Sequence, residues 1–170
     1  MAVPISRRIG KRSTFAVSCI GMAILSCFFF YLPCTNVGFV TMLLLQILIS
    51  VCTGIISPLI WSMYADVADY AAIKDNTSST GLIFSSGSMA QKFGGAIAGS
   101  AVLWLFASFG LVPNALHQTD SAILGMKLTM SYIPAVVAVI MVVIMVVYPL
   151  TKSKMKDINA KLKDIRKIEY

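Results

Sequence analysis

Four stretches of this sequence run for at least 20 residues with almost no charged side chain. They cover residues 13–32, 37–63, 80–111 and 128–150, and Lys92 is the one charge inside any of them. A helix of about 20 apolar residues crosses the hydrocarbon core of a bilayer. The alternation typical of strands is absent, and only helices or closed barrels satisfy the backbone in lipid. We therefore predict an all-α membrane protein with a bundle of four transmembrane helices over residues 13–150.

The distribution of charge predicts the orientation. Only 12% of the residues are charged, against about a quarter in a typical soluble domain. Four basic residues precede the first run and seven follow the fourth: Arg7, Arg8, Lys11 and Arg12, and those from Lys152 to Lys167. Basic flanks mark the cytoplasmic side, so residues 1–12 are predicted as a cytoplasmic loop and 151–170 as a cytoplasmic tail. We expect a multi-pass protein of a bacterial inner membrane that binds the lipid bilayer and no nucleic acid.

The tail carries an amphipathic pattern. Met155, Ile158, Leu162 and Ile165 recur at helical spacing with lysines between them. This pattern predicts a short helix on the inner membrane surface. Docking on a partner protein is the alternative.

Lys92 is the most informative single residue. It lies 11 residues after Gly81, hence about 16 Å into its helix and near the bilayer midplane. A cation at that depth costs about 2.5–3.5 kcal/mol on insertion scales, so it needs water or an acidic partner. None of the other three runs contains an acid, which predicts that the partner lies outside this chain. Midplane cavities bind substrates in transporters, so we favour a functional site over an ion pair that only fixes packing.

Two acids follow the second run. Asp66 and Asp69 share a helix face at spacing i, i+3, and across the cytoplasmic mouth they would meet Arg7 and Arg8 in a gating charge network. Two solvated acids at a helix end explain the same spacing equally well, and both interpretations stay open.

Small residues in the third run predict close helix packing. Gly95 and Gly99 have the small-xxx-small spacing that lets helix backbones approach in lipid.

No residues suggest catalysis: His117, the single histidine, has neither cysteine nor carboxylate at metal-binding spacing, and no glycine-rich phosphate loop is present. We expect neither an enzyme nor a metal site.

Several motifs together resemble a known family. They are Trp61–Tyr70 (WSMYADVADY), Gly81–Ser85 (GLIFS), Gln91–Gly95 (QKFGG), Phe109-Gly110, Val112–Asn114 (VPN), Leu124–Met126 (LGM), Ile133-Pro134 and Tyr148–Leu150 (YPL). Their order and spacing resemble the glycoside–pentoside–hexuronide:cation symporters, the melibiose-permease-like members of the major facilitator superfamily. The resemblance implies that the four helices correspond to helices nine to twelve of a twelve-helix fold.

The same resemblance implies a function. Family members couple the uptake of a sugar or glycoside to sodium or proton entry. Lys92 falls on a lysine that lines the sugar cavity, so we expect it to contact substrate together with its neighbours Gln91 and Ser88. Asp66 and Asp69 fall on acids of the inner charge network.

The sequence also departs from the family pattern. The loop arginine and acid usual before Gly81 are replaced by serine and threonine within Ala71–Thr80. The resemblance implies that the first eight helices and their cation-binding acids are absent, and we expect the Na⁺ or H⁺ site in the missing amino-terminal half. No cofactor is expected. We expect a truncated or split carrier that is inactive alone and needs its amino-terminal portion as partner. The alternative is a small stand-alone membrane protein with an assembly role or no activity.

Overall fold

The computed structural model describes residues 10–33, 35–75, 79–113, 115, 117–150, 154–155 and 157–158. Within these ranges the secondary structure is helical, and no strand occurs among the described residues. The helices are α1 (Lys11–Phe30), α2 (Asn36–Asp75), α3 (Thr80–Ser108), α4 (Asp120–Met130) and α5 (Tyr132–Val147). The prediction of an all-α protein is therefore confirmed for the described part of the chain.

Three stretches are long and apolar enough to cross a membrane. They are Lys11–Phe30, Val37–Lys74 and the combined stretch Asp120–Val147. The 29-residue α3 is long enough to cross but is not among them. Length and composition thus support three of the four predicted crossings, and a crossing by α3 remains a prediction.

The helix bounds differ from the predicted runs at two places. α2 continues 12 residues beyond Met63 to Asp75, because charge ends an apolar run without ending a helix. The fourth run is preceded by α4, whose first turn is capped by Thr119. Ser131 separates α4 from α5, where the ring of Pro134 would clash with the carbonyl of residue 130 in a regular helix.

The core lies where α1, α2 and α5 meet. Its buried members come from all three helices: Phe15, Cys19, Ile56, Leu59, Met63, Ala138 and Met145. α1 packs against both α2 and α5 and is the central helix, whereas α4 contacts α1, α3 and α5. α3 has no fully buried residue, so one side of the bundle consists of a helix that the rest of the described chain leaves open.

The described tail residues fit part of the amphipathic pattern. Ile158 is buried and Met155 is half-buried, whereas Lys154 and Asp157 are exposed. Leu162 and Ile165 lie outside the described residues, as does most of the predicted tail.

Candidate functional site

The three predicted substrate contacts lie on one helix, α3. Ser88 is half-buried and its Oγ donates a hydrogen bond of 2.9 Å to the carbonyl of Phe84. Gln91 and Lys92 are exposed, one turn further along the helix. No carboxylate of a described residue lies within 4 Å of the Lys92 ammonium group. Within the described chain, Lys92 therefore lacks the acidic partner that its predicted depth would require.

The predicted packing face of α3 is open. A Cβ atom added at Gly94, Gly95 or Gly99 would meet nothing within 4 Å among the neighbouring groups. Every residue of α3 from Met89 to Ala101 is exposed. The close approach predicted for Gly95 and Gly99 is therefore not made by any described helix of this chain, and their packing role stays a prediction.

One salt bridge is found among the described residues, and it joins α1 to the last third of α2. The Lys11 ammonium group donates to both carboxylate oxygens of Asp66, at 2.8 Å to Oδ1 and 2.7 Å to Oδ2. It also donates to the carbonyl of Ser62 at 3.3 Å. Only 14% of the Asp66 side chain is exposed, against 35% for Lys11. The charges of the pair are thus partly withdrawn from solvent.

Lys11 is a partner that the sequence reasoning missed. The predicted partners, Arg7 and Arg8, lie outside the described residues. Lys11 was assigned to the loop, but it is the first residue of α1, so the ion pair joins two helices. The signal that was available is its position two residues before the charge-free run, within reach of a helix N-terminus.

The second predicted gating acid has a different environment. Asp69 is half-buried on α2, and no described cation lies within 4 Å of its carboxylate. It lies about 60° around the helix from Asp66, because three residues turn a helix by about 300°. Asp66 and Asp69, which the i, i+3 spacing places on one helix face, therefore differ in their contacts: Asp66 pairs with Lys11, and Asp69 has no described cation within 4 Å.

A second cation of α1 holds another helix. The Arg12 guanidinium group donates a hydrogen bond of 2.6 Å to the carbonyl of Val146, in the last turn of α5. Carbonyls in the last turn have no donor within their own helix, and a cation there also opposes the negative end of the helix dipole. Lys11 and Arg12 together connect α1 to α2 and α5.

Aromatic side chains join α2 to α3 in the turns next to the Lys11–Asp66 pair. Trp61 stacks on Phe84 with ring centroids 6.1 Å apart and planes at 16°. Tyr64 packs edge-on against both rings, with centroid distances of 5.7 and 6.2 Å. Its ring lies over Gly87, where an added Cβ would be 2.5 Å from Tyr64 Cε2. This contact sets the register of α3 against α2.

The end of the bundle opposite the Lys11–Asp66 pair has its own polar contacts. The Lys127 ammonium group donates to the carbonyl of Leu32 at 3.2 Å, and Gln118 bonds both backbone groups of Val112. His117 lies in this region, and no cluster of potential metal ligands occurs among the described residues.

Comparison with known proteins gives a consistent family assignment. A family model described as MFS/sugar transport protein matches residues 1–152. The chain is 28% identical over 163 residues to the glucuronide carrier protein homolog of Escherichia coli K12, covering 95% of this chain and 35% of that protein. No solved structure matches the chain significantly.

Two further relatives differ in length. An uncharacterised 29.9 kDa protein from the crtE 3′ region of Pseudescherichia vulneris is 29% identical over 168 residues, covering 98% of this chain and 61% of that protein. A protein of E. coli K12 with the provisional name glycoside/cation symporter YagG is 24% identical over 155 residues, covering 91% and 33%. The chain thus spans about a third of the two relatives named as carriers.

Proposed function

The chain belongs to the MFS/sugar transport protein family, in agreement with the resemblance seen in its motifs, and we propose that it forms the last four helices of a sugar or glycoside carrier. The carrier couples uptake to the entry of Na⁺ or H⁺. The cation site and most of the sugar site lie in an amino-terminal portion that this chain needs as its partner. The relatives' names, glucuronide carrier and glycoside/cation symporter, support a sugar or glycoside as the substrate.

The observation that carries this proposal is the environment of Lys92. Its helix is the one long helix not apolar enough to count as a membrane span, and it is open on all sides around the lysine. A transmembrane helix of that composition is stable when protein or a water-filled cavity covers its polar side. Lys92 therefore faces the cavity between the two parts of the carrier, where it binds the sugar or an acid beside it. Gln91 and Ser88 contribute hydrogen bonds to the same substrate.

The topology follows from the same proposal. α1, α2, α3 and the α4–α5 pair each cross the bacterial inner membrane, which places both termini in the cytoplasm. The basic residues before and after the bundle support this orientation. A phosphatase fused after Tyr170 should be inactive and a fluorescent protein at the same site should be bright. An active phosphatase would contradict the four crossings.

Uptake by a reassembled carrier tests the proposal directly. The chain is co-expressed with the first eight helices of the E. coli glucuronide carrier homolog, and uptake of a radiolabelled glucuronide is measured with and without a Na⁺ or H⁺ gradient. We expect gradient-dependent uptake that is lost in Lys92→Ala and partly kept in Lys92→Arg. Trp104→Phe, on an exposed position of the same helix, is the matched control and should transport normally. Normal uptake with Lys92→Ala would remove Lys92 from the mechanism.

One observation favours a second candidate function. The open surface around Gly95 and Gly99 is also what a small assembly protein would present to a helix of another complex. In that case Gly95→Leu would release the chain from its complex during native electrophoresis while no segment restores uptake. Restored uptake decides for the carrier.

A further inference from the structure

Two neighbouring cations at the start of α1 each hold a different helix. Lys11 contacts the carboxylate of Asp66 and the carbonyl of Ser62, both on α2. Arg12 contacts the carbonyl of Val146 at the end of α5. All three contacts lie at the same, inner end of the bundle. We refer to Lys11, Arg12, Asp66 and the Val146 carbonyl as the α1 clamp.

The contacts of the clamp are of the strong kind. The contacts of Lys11 with Asp66 and of Arg12 with Val146 join a charged donor to an oxygen acceptor at 2.6–2.8 Å, and charge-assisted hydrogen bonds are about twice as strong as neutral ones. Only 14% of the Asp66 side chain is exposed, so water would solvate its carboxylate poorly if Lys11 were removed. The Val146 carbonyl has no donor within its own helix, and its contact with Arg12 is exposed to solvent.

The clamp lies directly on the packed core. Phe15 follows the two cations by one turn of α1, and Met63 and Met145 stand next to the acceptors on α2 and α5. All three side chains are buried in one cluster. Parting α1 from α2 at this end would break the Lys11–Asp66 pair and open that core as well. Packed cores rearrange as units and do not deform continuously.

We propose that the α1 clamp is a fixed positioning device, and that Asp69 alone is the acid of α2 that meets a cation of the remaining carrier. Lys11 and Arg12 hold the inner ends of α1, α2 and α5 as one rigid body throughout the transport cycle. Asp66 is committed to that body. Asp69, about 60° further round the helix, has no cation within 4 Å among the described residues. The role of Asp69 rests on the proposed function, whereas the clamp does not.

The clamp is tested on the purified chain in detergent. Unfolding in mixed micelles is followed by circular dichroism for Lys11→Asp, Asp66→Lys, the swapped double variant, and Asp69→Asn as the matched acid. Each single reversal should lower the folded-to-unfolded ratio by about tenfold or more, a cost between those of exposed and buried pairs. The swap should restore most of it, and Asp69→Asn should change it by less than about threefold. Equal effects of the single and swapped variants would overturn the clamp.

Transport by the reassembled carrier separates positioning from gating. Because the swap places a lysine at position 66, an Asp66 that had to meet an external cation would now repel it. The swapped variant should transport per folded molecule as the wild type does, whereas Asp69→Asn should lower uptake several-fold with unchanged folding. A folded but inactive swap, or normal uptake by Asp69→Asn, would overturn the division between the two acids. If no variant and no wild type transports, the proposed function fails while the unfolding result still decides the clamp.

Discussion

Replacing Gly87 by alanine should destabilise the chain by forcing α3 away from α2. The new methyl group would lie 2.5 Å from Cε2 and 2.8 Å from Cζ of Tyr64. Real Cβ contacts are not that close, so the ring must move. Tyr64 is held edge-on between Trp61 and Phe84, and moving its ring disturbs both contacts.

The magnitude follows from three terms. Overpacking costs about 1–3 kcal/mol, and each aromatic contact is worth about 0.5–1.5 kcal/mol beyond its buried area. In the opposite direction, alanine has a higher helix propensity than glycine, which stabilises the helix by up to about 1 kcal/mol. If both aromatic contacts are lost, these terms give a net loss of about 1–5 kcal/mol, so we expect the folded-to-unfolded ratio to fall by about fivefold or more.

The same helix offers a matched control for this prediction. Gly94→Ala is the identical change, two turns further along α3, where an added Cβ meets nothing within 4 Å. It should leave stability unchanged or raise it by up to about 1 kcal/mol. Both variants are unfolded in mixed micelles and followed by circular dichroism. Equal stability of the two alanine variants would refute the α2–α3 register on which the estimate rests.

Three further substitutions test other parts of the fold in the same unfolding assay. Gly125→Ala places a Cβ 2.6 Å from Cγ of Phe109, so it should cost about 1–3 kcal/mol, and no loss would contradict the α3–α4 contact. Gly110 has φ of +71°, so Gly110→Ala should cost about 1–2 kcal/mol of backbone strain even though its surroundings are open. Lys127→Met removes the donor to the Leu32 carbonyl and should cost about 1 kcal/mol, whereas an unchanged midpoint would show that this contact is not stabilising.

The charge-free runs predicted where helices begin better than where they end. The starts of α1, α2 and α3 lie within two residues of the predicted starts. The end of α2 was missed because a charge marks the edge of lipid, while a helix ends at residues that break its backbone. No glycine or proline occurs between Tyr64 and Asp75, so nothing stops α2 after the membrane edge.

The start of α4 was missed for the opposite reason. Thr119 accepts a hydrogen bond from the Ala122 amide, and Asp120 occupies the first turn, which together are an ordinary N-terminal helix signal. The capping signal is present in the sequence, but Asp120 and Lys127 interrupt the apolar pattern in this segment. Hydropathy and helix capping report different physical properties, and here only capping indicated the helix.

The sequence can predict that a side chain needs a partner on another helix only where an isolated charge lies in an apolar run. Lys92 is such a case, since an isolated cation in an apolar run requires a neighbour whatever the fold. The Lys11–Asp66 pair is not, because any of four amino-terminal cations satisfies Asp66 equally well on paper. The choice is made when the packing of Phe15 against Met63 fixes the register of α1 on α2.

The distribution of burial and of charge across the bundle points to one arrangement. α1 packs against α2 and α5, and the two basic residues of its first turn, Lys11 and Arg12, each form a hydrogen bond to one of these helices. α3 has the reverse character: it is open around Lys92 and three glycines, and it is too polar to rank with the lipid-spanning stretches. An uncovered cation at mid-membrane depth costs about 2.5–3.5 kcal/mol on insertion scales, and exposed small residues let another helix approach closely. We therefore expect the rest of the proposed carrier to cover the side of the bundle that carries α3.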